Sequence, residues 1–141
     1  MKERETEMPK MKKITTPKVP EPNPAIFDNC RVVGDTVYMA GMTAGDGKGG
    51  AVGGDSMYGQ AKECFRKIKD LVEAAGGTTN DIMKMTIYVT DIGGRPDLGR
   101  ARGEVFSPGK APCSTLVEVK SLAQPGLKIE IDATAVLGAG N

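Results

Sequence analysis

Ala111-Pro112-Cys113-Ser114-Thr115-Leu116-Val117-Glu118-Val119 and Lys128-Ile129-Glu130-Ile131-Asp132-Ala133-Thr134-Ala135-Val136 are the two strand-like blocks whose reading decides the fold. On the second, Lys128, Glu130, Asp132 and Thr134 share one face, since side chains alternate across a strand. That face is too polar to form a second core layer. It is expected to open to water or to meet other subunits around a polar site. The loop joining the blocks carries Pro125-Gly126, a turn signal.

Upstream of these blocks, Pro96 to Phe106 is expected to form a weak helix. Pro96 suits its first turn, and Gly99 and Gly103 lower its propensity. Before it, Ile82 to Thr90 alternates as a strand with one face on the helices. Met83, Met85, Ile87 and Val89 fall on one side, and Lys84, Thr86, Tyr88 and Thr90 on the other. The clearest local element comes earlier still. Ala61, Cys64, Phe65, Ile68, Leu71, Val72 and Ala75 recur at the spacing that paints one face of a helix. Asp55 or Ser56 is placed to cap its start, and Gly76-Gly77 to end it in a left-handed conformation. Lys62, Arg66, Lys67, Lys69, Asp70 and Glu73 read as its solvated side.

Gly45 to Asp55 is a glycine-rich loop containing a GxGxxG at Gly45, Gly47 and Gly50. A dinucleotide site needs those glycines to open a helix straight after a parallel strand, with an acidic residue about 20 positions on. Here the helix begins later and Asp70 lies inside it, so nucleotide binding is not expected. Cys30 to Val33 and Thr36 to Met42 are short strands joined at Gly34-Asp35, a tight hairpin turn. Residues up to about Pro24 form a Pro-punctuated extended arm suited to covering a sheet edge, preceded by a charged tail over residues 1–13. Residues 14–141 read as one domain. The order strand, strand, helix, strand, helix, strand, strand predicts an α+β fold, with two helices on one face of a mixed sheet.

Composition narrows the chemistry. With 19 basic and 18 acidic residues there is no global field to draw in nucleic acid or an anionic membrane. Trp is absent and Phe and Tyr number three each, so stacking platforms for bases are few. Histidine is absent, which removes Ser-His-Asp, Cys-His and His-ligated zinc chemistry within the chain. Proton transfer must then use a perturbed carboxylate, Lys, Cys or Tyr, or bound water. Cys30, Cys64 and Cys113 match neither a CxxC pattern nor a disulfide framework. With no apolar leader or long apolar run, this predicts a soluble cytoplasmic protein.

Four stretches in order resemble the Rid family, the reactive intermediate deaminases also called YjgF-like proteins. They are Gly34-Asp35-Thr36-Val37-Tyr38-Met39-Ala40-Gly41, Val72-Glu73-Ala74-Ala75-Gly76-Gly77, Lys84-Met85-Thr86-Ile87-Tyr88-Val89-Thr90-Asp91 and the two C-terminal blocks. The resemblance runs from Lys13 to the end. It implies a chorismate-mutase-like α+β fold and a homotrimer whose sheets line a central barrel, with small-molecule clefts at the subunit interfaces. It also implies hydrolysis of short imines and enamines to 2-keto acids and ammonia, with neither metal nor organic cofactor.

Carried over by position, the resemblance makes Glu130 the water-orienting, catalytic glutamate. It places Ser114 where the family's deaminases carry a carboxylate-binding arginine, in a motif reading roughly Pro-Ala-Arg-Ser-x-Val-Glu-Val. Phe27 stands for a pocket tyrosine, Ala40 for a serine and Gly99 for a helix asparagine. The cleft is therefore more apolar than the family's, and turnover of 2-aminoacrylate at family-typical rates is not expected. Arg102 is the preferred replacement cation, and Cys113 is a neighbour of the site expected to be inert, since no His activates it. Ser114, Phe27, Ala40, Cys113 and Arg102 are thus the candidate ligand-binding residues. The expected activity is a divergent imine or enamine hydrolase. The alternative is a non-catalytic trimeric metabolite-binding module. RNA cleavage, a third role associated with the family, lacks a histidine, an aromatic platform or a basic stripe.

Overall fold

The computed structural model describes residues 8–141, and the expected charged tail lies outside them over residues 1–7. The strands are β1 (Lys12–Lys13), β2 (Cys30–Val33), β3 (Thr36–Thr43), β4 (Ile82–Val89), β5 (Cys113–Glu118) and β6 (Ile129–Val136). The helices are α1 (Met57–Ala74) and α2 (Arg95–Gly103). The six strands form one mixed sheet in the order β1-β2-β3-β6-β4-β5, antiparallel except where β5 runs parallel to β4. Helix α1 packs on β3 and β6, and α2 packs on α1. This is the α+β arrangement the alternations predict.

Local rules account for the element ends. Ser56 caps α1 by accepting from the Gly59 N–H at 2.9 Å. At the other end Gly76 takes the left-handed conformation at φ +100°, and the Gly77 N–H closes back on the Val72 carbonyl at 2.9 Å. Helix α2 stops at Gly103, short of the expected Phe106, which is buried edge-on against Phe65 with ring centroids 5.9 Å apart. The β2 edge is covered just ahead of the Pro-rich arm. Lys12 and Lys13 pair with β2, so the segment expected as tail is ordered at those residues. Farther on, Val19 is buried and the Asn29 amide donates to the Pro20 carbonyl at 2.9 Å.

Two further expectations need correction. Met83, expected on the inward face of β4, is exposed, because the β4–β6 register shifts between Ile82 and Lys84. The extra residue of a bulge throws Met83 outward, and Ile82 takes the core position. The two C-terminal blocks do not pair with each other, since β4 lies between them. Strand β6 is thus enclosed on both sides, whereas β5 is an edge with only Leu116 half-buried. Nor is the charged side of α1 wholly solvated. Lys67 is 6% exposed, because the residues at the end of β3 and the glycine loop fold over it.

Candidate functional site

Beneath the Pro-rich arm lies an open cavity of about 400 Å³, walled by the end of β3, the glycine-rich loop and the segment leading into β6. Glu130 reaches it from β6, flanked in register by Thr43 of β3 and Tyr88 of β4. Its even position puts it on the sheet face away from the helices, as the alternation predicts. The carboxylate is half-buried and has no hydrogen-bond partner among the described residues. Burial, and secondarily the nearby Asp132 charge, push its pKa above the ordinary glutamate value. A carboxylate in this state can accept a hydrogen bond from water and exchange a proton with it.

Local backbone geometry makes room for it. The β3–β6 register slips between Met39 and Met42, so Ala40 and Gly41 share a bulge. A Cβ on Gly41 would overlap the Glu130 carboxylate and come within 2.9 Å of its Cγ. Phe27, 48% exposed, lines the same cavity. Ala40 lines an adjoining groove with Phe27 and Tyr38 instead.

The remaining candidates lie at the β5 edge. Parallel pairing sets Cys113 opposite Lys84 on the open face and Ser114 opposite Met85 on the helix side. From α2 the Arg102 Nη1 donates to the Ser114 Oγ at 3.4 Å, a long bond. The Arg102 Nε is buried without an acceptor. Desolvation alone lowers the pKa of this guanidinium, with no carboxylate offsetting it. None of Ser114, Cys113 and Arg102 lines the Glu130 cavity. Within one copy of the chain the candidates therefore fall in two separate places: Glu130 with Phe27 and Gly41, and Arg102 with Ser114.

The thiols differ by burial. Desolvation pushes Cys30 up to about 11 and Cys64 up to about 12, which leaves both as packed, un-ionised groups. Cys113 is exposed. The glycines of the GxGxxG close a small hairpin instead of opening a helix. Gly45 bridges Ala51, and Asp46 Oδ1 accepts from the Lys48 and Gly50 N–H groups at 2.7 and 3.0 Å. Among the described residues no helix is long and apolar enough to cross a membrane.

Sequence reasoning missed Lys67. Its Nζ donates to the Thr43 carbonyl at 2.7 Å and the Gly45 carbonyl at 2.8 Å, and the residue lines the Glu130 cavity. A helical period assigns Lys67 to the wet face. Only the position of the loop after β3 reveals its burial.

A six-stranded mixed sheet with two helices on one face and a glutamate-lined cleft beside a strand bulge defines the class. The family model described as endoribonuclease L-PSP matches residues 22–137, and the chain belongs to that family, the Rid or YjgF/YER057c/UK114 proteins. A 2-iminobutanoate/2-iminopropanoate deaminase from Salmonella typhimurium is 35% identical over 106 residues, 74% of this chain and 81% of the relative. A RutC family protein from Pyrococcus abyssi is 30% identical over 122 residues, 86% of this chain and 94% of the relative. Among solved structures, a Pseudomonas aeruginosa protein of unknown function superposes with a TM-score of 0.82 at 38% identity, covering 93% of this chain and 95% of that one.

Proposed function

We propose that the protein hydrolyses small imines or enamines bearing a carboxylate, in clefts formed between copies of the chain in a homotrimer. The observation that carries this reading is Glu130, a half-buried carboxylate with unengaged oxygens and a raised pKa at the mouth of a cavity. Deaminases among the relatives support the reaction class.

The chemistry needs little else. Glu130 accepts a proton from water as the water oxygen bonds to the imine carbon, and the C=N π electrons move to nitrogen. That proton passes to nitrogen to give a carbinolamine; the carbinol proton then moves through Glu130 to the same nitrogen, so that ammonia leaves with the C–N electron pair as the C=O bond of the ketone forms. The substrate carboxylate must be held meanwhile. Arg102, supplied by the neighbouring copy, suits that role, because a guanidinium matches a carboxylate bidentately and this one has a buried N–H without an acceptor. On this reading Ser114 hydrogen-bonds and orients Arg102 instead of binding substrate itself.

The test is keto-acid release from 2-iminopropanoate and 2-iminobutanoate generated in situ, comparing wild type with Glu130→Gln. Turnover by the wild type that the variant loses supports the proposal. A wild type that is inert on both, and on other carboxylate-bearing imines, overturns it. The second reading, a trimeric metabolite-binding module without turnover, is favoured by Ser114 where the family's deaminases carry arginine. It would show as ligand-dependent thermal stabilisation without product.

A further inference from the structure

Lys67 is the buried charge that imine hydrolysis at Glu130 leaves unused. Its ammonium carries three donors. Two go to the Thr43 and Gly45 carbonyls, and no third acceptor is present among the described residues. The carboxylates nearby are engaged elsewhere. Glu63 grips Arg66 through two bonds of 2.8 Å, and Asp46 holds the Lys48 and Gly50 N–H groups. Glu21, which shares the cavity wall, lies 3.9 Å from Lys13. Lys67 is thus the cation of the Glu130 cavity, and no carboxylate among the described residues pairs with it. Burying an ammonium without a salt bridge is costly: the Glu63 and Asp46 charges offset it only through space, and burial, the larger effect, draws its pKa down. An anion arriving with the ligand would relieve that cost.

Size points the same way. A cavity of about 400 Å³ falls in the range that accepts ligands much larger than a three- or four-carbon acid. A substrate reacting at Glu130 leaves room for a longer side chain running along the apolar wall of Met42 and Leu127 towards Lys67.

We propose that Lys67 is a specificity-determining residue that receives a side-chain carboxylate, so that the site selects imines of dicarboxylic amino acids over those of alkyl ones. The proposal rests on the hydrolase reading for the reacting end of the ligand, but it can be tested by binding alone. Titration calorimetry would compare 2-oxoglutarate, a keto acid with a carboxylate tail, with 2-oxoglutaramate, the same skeleton ending in a neutral amide. Wild type is expected to bind the dianion about tenfold or more tightly over the amide, the order of one charge-assisted hydrogen bond. Lys67→Met should erase that preference while keeping its affinity for the amide, and Lys67→Arg should retain part of it.

Equal wild-type affinities, or a preference that survives Lys67→Met, would overturn the proposal. The wild-type comparison stands even if a variant fails to fold. If wild type shows the preference yet hydrolyses no imine, the hydrolase reading falls and the Lys67 site stands. If it hydrolyses alkyl imines and shows no preference for an acidic tail, the reverse holds.

Discussion

Gly41 and Glu130 occupy one another's space: the Glu130 side chain lies where a Cβ on residue 41 would be, with its Cδ only 2.8 Å from that point. Residue 41 does not have a positive φ, so alanine strains no backbone there and the contact alone is tested. Gly41→Ala should swing the carboxylate out of place. A displacement of about 1 Å at a reacting group costs on the order of a hundredfold in rate. We expect kcat to fall by about that much while circular dichroism shows an unchanged fold.

The raised pKa of Glu130 makes a stability prediction with a definite sign. The folded chain holds a proton on Glu130 more tightly than the unfolded chain does. Stability is therefore fullest below the ordinary glutamate value of 4.5 and is lost as pH rises through the raised one. Glu130→Gln removes that liability. The variant should melt above wild type at neutral pH, with the gap closing below about pH 4. Melting curves across that range check it, and a gap that widens on acidification would refute the assignment.

Catalysis gives the opposite trend. Glu130 must be ionised to take a proton from water, so kcat should rise with pH through the raised carboxylate pKa and then level off. A pH-rate profile flat from pH 4 upward would remove Glu130 from the proton transfer.

Arg102 and Ser114 make a second separable test. Arg102→Met should raise KM for carboxylate-bearing imines by about ten- to a hundredfold, the worth of a hydrogen bond to a charged group. It should leave neutral imines unaffected. Ser114→Arg should increase turnover of 2-aminoacrylate over a slow wild type, and it should restore carboxylate binding when combined with Arg102→Met.

Assembly is tested by light scattering. Arg102 does not line the Glu130 cavity within one chain, so the proposed shared cleft calls for a neighbouring copy. A particle of about three times the 14.8 kDa chain mass is expected, with activity lost on dilution below the assembly range. An active monomer would contradict a shared cleft.

Much of this architecture is written locally. The alternation in Ile129–Val136 and the helical stripe from Ala61 to Val72 each need only one neighbouring layer to bury their apolar face. Periodicity therefore identifies α1 and β6, and with β6 it puts Glu130 on the open face. The family motifs likewise lie in contiguous stretches, which is why the family is legible. Tertiary structure decided what depends on segments far apart in the chain. A one-residue register slip turned Met83 out of the core, and β4 came to lie between the two blocks that sequence order made neighbours. The loop after β3 buried Lys67, whose place on the helix resembles that of its solvated neighbours. Helix α2 carried Arg102 to Ser114, twelve residues on along the chain. A residue's own sequence window encodes which way its side chain leaves the backbone, but what meets it there is set by which distant segment packs over it.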